Sequence, residues 1–437
     1  MTAWPTVVPV FVDAVVVVSA VLALARAPRV PAAVRRVLPR PRRGRSVPPL
    51  AALAVVTGLV YVNQVLFTVY VLRVHGGDAS FVARYLPTGW FELASGSPVV
   101  RRLADAFPAP ELLAPSVLRV QAFLELPFVL LAFAAVVRWF DAGLYRAIAR
   151  SALLPLASVS YTVVFCLVEW DLRNPYTVDD IVVRAVSAAL TSLLVARLAA
   201  RDSGVTRTPA SVSGLLVFIG SLGALGALVL VVYDTALLYN LGRLDDRLPL
   251  ALAAAGLLAA LRGVAHRLRE DRSAPGLAMS FVRHALSRWL ALFFVPALAV
   301  RYGVVFGTPW LAAGAALVIG AAACLGAGRD TVAGPEDATD AAGLRTGRRR
   351  TLALLLAGRL TCAGLAGAGA AYVAVSLSPG PYYETRALSA GAAFLMTAVV
   401  ACGVVDVVDR RRPGAGSPAQ ARSSPSASWC EGRPGRS

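Results

Sequence analysis

The run LRVQAFLELPFVLLAFAAVV, from Leu118 to Val137, sets the class of this chain. It places twenty residues in a row with only Arg119 and Glu125 charged. Twenty apolar residues, at about 1.5 Å of rise each, cross the roughly 30 Å hydrocarbon core of a bilayer. Ten more runs share the pattern: Val7–Leu24, Leu50–Leu72, Ala152–Trp170, Ile181–Leu198, Val212–Tyr233, Leu248–Leu261, Trp289–Val305, Pro309–Leu325, Leu352–Leu377 and Leu388–Val405. They predict an all-α, polytopic transmembrane helix bundle of about 11 spans, with residues 1–408 forming one helical domain. The first run does not read as a cleavable signal, since Asp13 interrupts it and its arginines follow rather than precede it. The seventh, bounded strictly by apolar residues, is short for a crossing.

Composition agrees. The 437 residues are 57% hydrophobic and 16% charged, against about 45–50% and about 25% in soluble domains. That balance excludes a disordered chain, a disulfide scaffold and an ordinary water-soluble enzyme.

The net charge of +18 comes from 43 basic residues, every one of them Arg. With so much Ala, Val, Gly and Pro, the missing Lys reads as GC-rich codon bias, and the expected location is the plasma membrane of a GC-rich bacterium. Placing the N-terminus outside puts 31 Arg in inner loops and the tail, against 11 in outer segments, with Arg359 inside the tenth span. Cytoplasmic loops retain Arg, so the N-terminus is predicted out and the C-terminus in. The basic charge then faces anionic inner-leaflet lipid, and no nucleic-acid partner is expected.

Between the spans, residues 25–49 read as a basic, Pro-rich inner loop, and residues 409–437 as a disordered cytoplasmic tail. The outer loop 73–117 should hold an interfacial helix. Ser97 is placed to cap it, with Pro98 at its first position, and Val99, Val100, Leu103 and Phe107 share a greasy face. An inner counterpart begins near Pro275, with Leu277, Phe281, Val282 and Leu286 on one side. Asp245 and Asp246 read as an outer turn, and Glu336, Asp337 and Asp340 as part of a solvated inner linker.

Ionisable groups inside a bilayer are expensive, so each one is a candidate for function. Asp13 and Glu125 sit about two turns inside the outer ends of spans one and three. Glu169 and Asp171 close span four; Asp179, Asp180 and Arg184 open span five; Asp234 ends span six. Together these eight form the candidate polar site. Asn63, Gln64, Arg301 and Arg359 are secondary candidates. Deep carboxylates of this kind can carry protons or cations, and Pro127, two residues after Glu125, should free a backbone carbonyl beside it. The competing reading is a set of satisfied interhelical ion pairs and snorkelling side chains. Between Glu169 and Asp180, Trp170 and Tyr176 can anchor an interfacial hairpin while Asn174-Pro175 makes the turn.

Four of the five cysteines lie within spans and Cys430 in the tail, and the three histidines are split between the two faces. No metal site and no cofactor is expected, and the sequence holds no phosphate-binding loop, HExxH or nucleophile elbow. The leading expectation is a transporter- or permease-like protein with an outward-facing polar site for a small molecule or ion. Its first five spans and next five would run in inverted orientation, as in many secondary carriers. The alternatives are a membrane-embedded transferase acting on a lipid or polyprenyl-linked substrate at the outer leaflet, or a non-catalytic membrane partner.

Overall fold

The computed structural model describes residues 47–82, 91–151, 153–172, 177–204, 211–268, 276–292, 309–333, 342–377 and 383–411. These residues are 90% helical with no strand. The first span with Asp13, most of the eighth with Arg301, the inner linker through residue 46, the acidic cluster at 336–340 and the tail beyond 411 lie outside the described residues.

Helix α1 (Pro49–Val74) starts on prolines that cost it no hydrogen bond. It ends at Gly76 and Gly77, whose positive φ angles fold the chain back so that the Gly77 N–H reaches the Val71 carbonyl. The interfacial helix α2 (Pro98–Ala106) has the expected cap, with Ser97 Oγ accepting from Val100 N. Its packing face differs from the expected one, however. Val100 and Ala104 are buried against the protein, while Val99 and Leu103 point outward. An aliphatic pair facing out from such a helix suits lipid better than water.

Helix α3 (Ala114–Phe140) is the hub: 78% of its central window is buried. A short helix, α4 (Ala142–Ala149), follows, capped by Asp141, which accepts from Gly143 and Leu144 N–H. Next come α5 (Leu153–Leu172), α6 (Thr177–Arg201) and α7 (Val212–Val232), the last running into a π-turn at Tyr233–Leu237. Helices α8 (Leu244–Leu268), α9 (Leu277–Leu292), α10 (Pro309–Ala333), α11 (Ala342–Leu377) and α12 (Tyr383–Arg411) complete the described chain.

Side-chain bonds fix the relative directions. Asn63 of α1 donates to the Val117 carbonyl at the start of α3, and Arg119 pairs with Asp179 at the start of α6. Gln121 of α3 reaches the carbonyls that end α7. At the opposite end, Arg138 of α3 meets Asp202 just past α6. Thus α3 and α6 run parallel, α1 and α7 run against them, and the rim holding Arg119 and Asp179 is the one that the arginine count assigns to the outside.

Among the described residues, seven helices are long and apolar enough to cross a membrane: Pro49–Val74, Ser116–Phe140, Val178–Arg201, Val212–Leu237, Leu241–Leu268, Arg350–Leu377 and Ser389–Val408. The seventh apolar run is longer than its strict limits implied. Helix α8 carries it from Leu244 to Leu268, because charged residues at both ends continue the helix instead of stopping it. Asp245 and Asp246 are correspondingly not a turn. They lie in the first turn of α8, where the helix dipole favours negative charge. Only 6% of the α8 window and 11% of the α11 window is buried in the protein. Leu252 of α8 and Leu354, Leu365 and Tyr372 of α11 stand exposed, as residues facing hydrocarbon do. This is the architecture of a multi-pass membrane protein.

Candidate functional site

Pro127 has no N–H, so the carbonyl four residues earlier, that of Phe123, loses its helical partner. Ser187 of α6 supplies the missing donor, its hydroxyl 2.7 Å from Phe123 O. This proline-made defect ties α6 to α3 about half a turn from Glu125.

Glu125 is only 6% exposed, and both of its oxygens are engaged. Oε1 accepts from Tyr161 Oη of α5 at 2.7 Å, and Oε2 accepts from Arg184 Nη1 of α6 at 2.8 Å. The guanidinium carbon of Arg184 lies 4.6 Å from the Phe165 ring centroid, and that ring stacks on Tyr161 at 4.6 Å. Phe165 and Tyr161, one turn apart on α5, thus shield the pair from the side. A charge pair so enclosed interacts far more strongly than at a surface, and each partner depends on the other to repay its desolvation.

The neighbouring acids divide. Asp180, one turn before Arg184, is buried, and its Oδ1 has no hydrogen-bond partner among the described residues. Asp179 turns outward to Arg119. Glu169 and Asp171 fall in the last turn of α5, but their side chains, and residues 173–176 of the hairpin, lie outside the described residues.

A second polar layer lies between α1, α3 and the end of α7. Gln121 Oε1 accepts from Asn63 Nδ2 at 3.3 Å and Gln64 Nε2 at 3.1 Å. Gln121 Nε2 donates to the Leu237 carbonyl at 3.1 Å and the Ala236 carbonyl at 3.4 Å. The π-turn makes this possible, since widening the helix displaces carbonyls from the regular ladder. Tyr61 bonds Thr235 Oγ1 in the same turn at 2.8 Å, and Thr235 in turn donates to Val231 O. Toward the rim that holds Arg119 and Asp179 the layer is covered by Phe67, Tyr70, Val117 and Leu118, packed with Phe91 and Tyr239.

Above that cover lies the rim itself. Asp234 is held by Arg247 at 3.0 Å and Arg243 at 3.4 Å, and Arg243 also reaches Glu92 at 2.9 Å. The outer loop docks there through its backbone, Gly242 N–H donating to Glu92 O and Asn240 Oδ1 accepting from Glu92 N, both at 2.8 Å. A Cβ on Gly242 would meet the Glu92 and Leu93 carbonyl oxygens at 2.9 and 2.7 Å, so this close approach requires glycine.

At the opposite end Asp202 is clamped by Arg138 (2.8 Å) and Arg146 (3.7 Å), while Arg146 also donates to the Asp202 and Gly204 carbonyls. Burial and the Asp202 charge push the adjacent Tyr145 phenol well above its usual pKa, so it stays protonated. Arg359 stands 3.7 Å from Asp406, whose carboxylate also accepts from Ala278 and Met279 N–H at the start of α9.

Of the expected residues, then, Glu125 and Arg184 come together with Asp180 close by, Asn63 and Gln64 form a separate layer, and Asp234 belongs to the rim. Gln121, Tyr161, Asp202 and Glu92 join these clusters without having been candidates as such. Gln121 carried a signal, an amide within an apolar run, whereas a tyrosine in a span looks the same whether or not it bonds a carboxylate. Among the described residues no three His, Cys, Asp or Glu side chains gather as a metal site. Compared with protein-family models, curated proteins and solved structures, the chain matches none.

Proposed function

We propose that this chain is a multi-pass carrier of the plasma membrane, with a polar site toward the outer side that takes a small molecule or ion. The positive inner face rests on anionic lipid. The observation that carries the reading is the Glu125–Arg184 pair, enclosed by Tyr161 and Phe165 inside helices otherwise built for hydrocarbon. A charge pair that only held helices together would be replaceable by aliphatic packing at equal or better stability. Its retention in a bilayer suits a site where one partner is exchanged for a charged group of the cargo or for a proton. Tyr161 can hold the carboxylate while Arg184 swings away, and the Ser187-to-Phe123 bond marks a place where α3 can flex.

The test needs no knowledge of the cargo. In a protein freed of its five native cysteines, Ser187→Cys is exposed to a charged, membrane-impermeant thiol reagent in right-side-out and in inside-out vesicles. A carrier presents its site alternately, so labelling is expected from both sides. Labelling from the outside alone favours a transferase working at the outer leaflet. No labelling from either side favours a non-catalytic partner with a closed core.

A further inference from the structure

The start of α6 holds an acid whose cationic neighbours are engaged with other carboxylates. Asp180 is 6% exposed, its Oδ1 is buried, and no described residue gives that oxygen a hydrogen bond. Positive charge reaches it from Arg184 on its own helix and from Arg119 on α3. Arg184 Nη1, however, serves Glu125, and Arg119 serves Asp179. Among the described side chains at this end, Arg119 and Arg184 thus face three acids, Glu125, Asp179 and Asp180. On α5, packed alongside, the titratable groups are Tyr161, bonded to Glu125, and Glu169 and Asp171 of its last turn, with Arg173 following in the chain.

A bare carboxylate is poorly suited to such a place. The positive end of the α6 dipole favours it, but that gain is small and fades within the first turn. Burying an unpaired charge costs far more, and a carboxyl avoids the cost by taking a proton. The same helix also offers the charged form a partner. An acid four residues before an arginine is the favoured order for an ion pair on one helix face. Asp180 and Arg184 stand in that order. Were Arg184 to turn to Asp180, Glu125 would keep the Tyr161 hydroxyl.

We propose that Asp180 holds a proton in this arrangement and that Arg184 has two seats: Glu125 while Asp180 is protonated, and Asp180 once the proton has left. On release the carboxyl O–H bond breaks, the proton passes to water at this rim, and the new carboxylate draws Arg184 from Glu125. Glu125 is then open to another cation. This deepens the carrier reading by naming a proton as the coupled ion, and it rests on that reading for what the exchange drives. The protonation itself stands without it.

The experiment is infrared spectroscopy of the purified full-length protein at about pH 6, where ordinary aspartates and glutamates, with pKa values of about 3.9 and 4.3, are ionised. A neutral carboxyl shows a carbonyl-stretch band that a carboxylate lacks. The wild type should contain such a band, missing from Asp180→Asn and kept in Glu169→Gln and Asp171→Asn. Asp180→Ala serves if the asparagine variant does not fold. Glu125→Gln should lose most of the band as well, because Arg184 then turns to Asp180 and displaces its proton, and Glu125→Ala is the substitute there. A wild-type spectrum with no band that the Asp180 variants remove overturns the proposal. A band left undiminished in the Glu125 variants overturns the exchange of seats. Labelling of Ser187→Cys in vesicles tests the carrier reading separately, and neither result decides the other.

Discussion

Two buried carboxylates, Glu125 and Asp202, are held by arginines at opposite ends of the same helix pair, and they are held differently. Among the described residues Glu125 meets Arg184 and Tyr161, and Arg184 is 11% exposed. Asp202 has two arginines, with side chains 27% and 28% exposed. Arg138 and Arg146 keep a route to water, so losing the carboxylate strands neither of them. Arg184, packed on the Phe165 ring, is much less exposed than either. The contrast separates a clamp that organises a helix end from a pair whose two members are energetically bound to each other.

Breaking the pair on one side should therefore produce the largest effect. Arg184→Leu leaves Glu125 buried without its cation and should cost about 3–5 kcal/mol of stability, read as a lower unfolding midpoint in detergent. Adding Glu125→Leu to that variant should restore most of the loss. If the double variant is no more stable than the single one, the two ends are alike and the distinction fails.

The clamp should respond less. Asp202→Asn keeps a hydrogen-bonding oxygen and leaves its arginines hydrated, so about 1.5–3 kcal/mol is expected, the usual worth of a bond to a charged group. A loss as large as that of Arg184→Leu would mean that Arg138 and Arg146 are as trapped as Arg184.

Ser187→Ala probes the backbone defect beside Glu125. It orphans the Phe123 carbonyl and should cost about 1 kcal/mol, without changing the coupling between positions 125 and 184. A change in that coupling would show that the pair and the flexible point act as one unit.

The smallest effect lies outside the spans. Burial holds the His284 imidazole below its ordinary pKa, while its Nδ1 lies 3.2 Å from Thr331 Oγ1. The folded state then favours the neutral ring. Its contribution is present above the unfolded value of about 6.5 and is lost as pH falls from there toward the depressed folded value. His284→Gln should flatten the fall in melting temperature over that window, and an unchanged slope would remove the histidine from the account.

Much of this was legible in the sequence because a bilayer punishes polarity so severely. Glu125, Arg184, Asn63 and Gln64 stood out in apolar runs, and Pro127 announced a freed carbonyl. The partners were not legible. Glu125 finds Tyr161 and Arg184 at separations of 36 and 59 residues, and no local pattern encodes which helices adjoin. Asp202, Arg138 and Arg146 carry no comparable signal, since a carboxylate just past a helix looks the same clamped or free. The π-turn has no residue signature in Tyr233–Leu237, and the apolar part of α8 is short because the helix continues through its charged ends.

The whole assignment depends on which rim faces the medium. Single cysteines replacing the exposed Ser80 and Ser203, placed one at a time in the cysteine-free protein, can be tested in intact cells with a membrane-impermeant maleimide. Labelling at 80 in intact cells, and at 203 only after permeabilisation, is expected. Labelling of 203 with 80 protected would invert the membrane and move the Glu125 site to the cytoplasmic side.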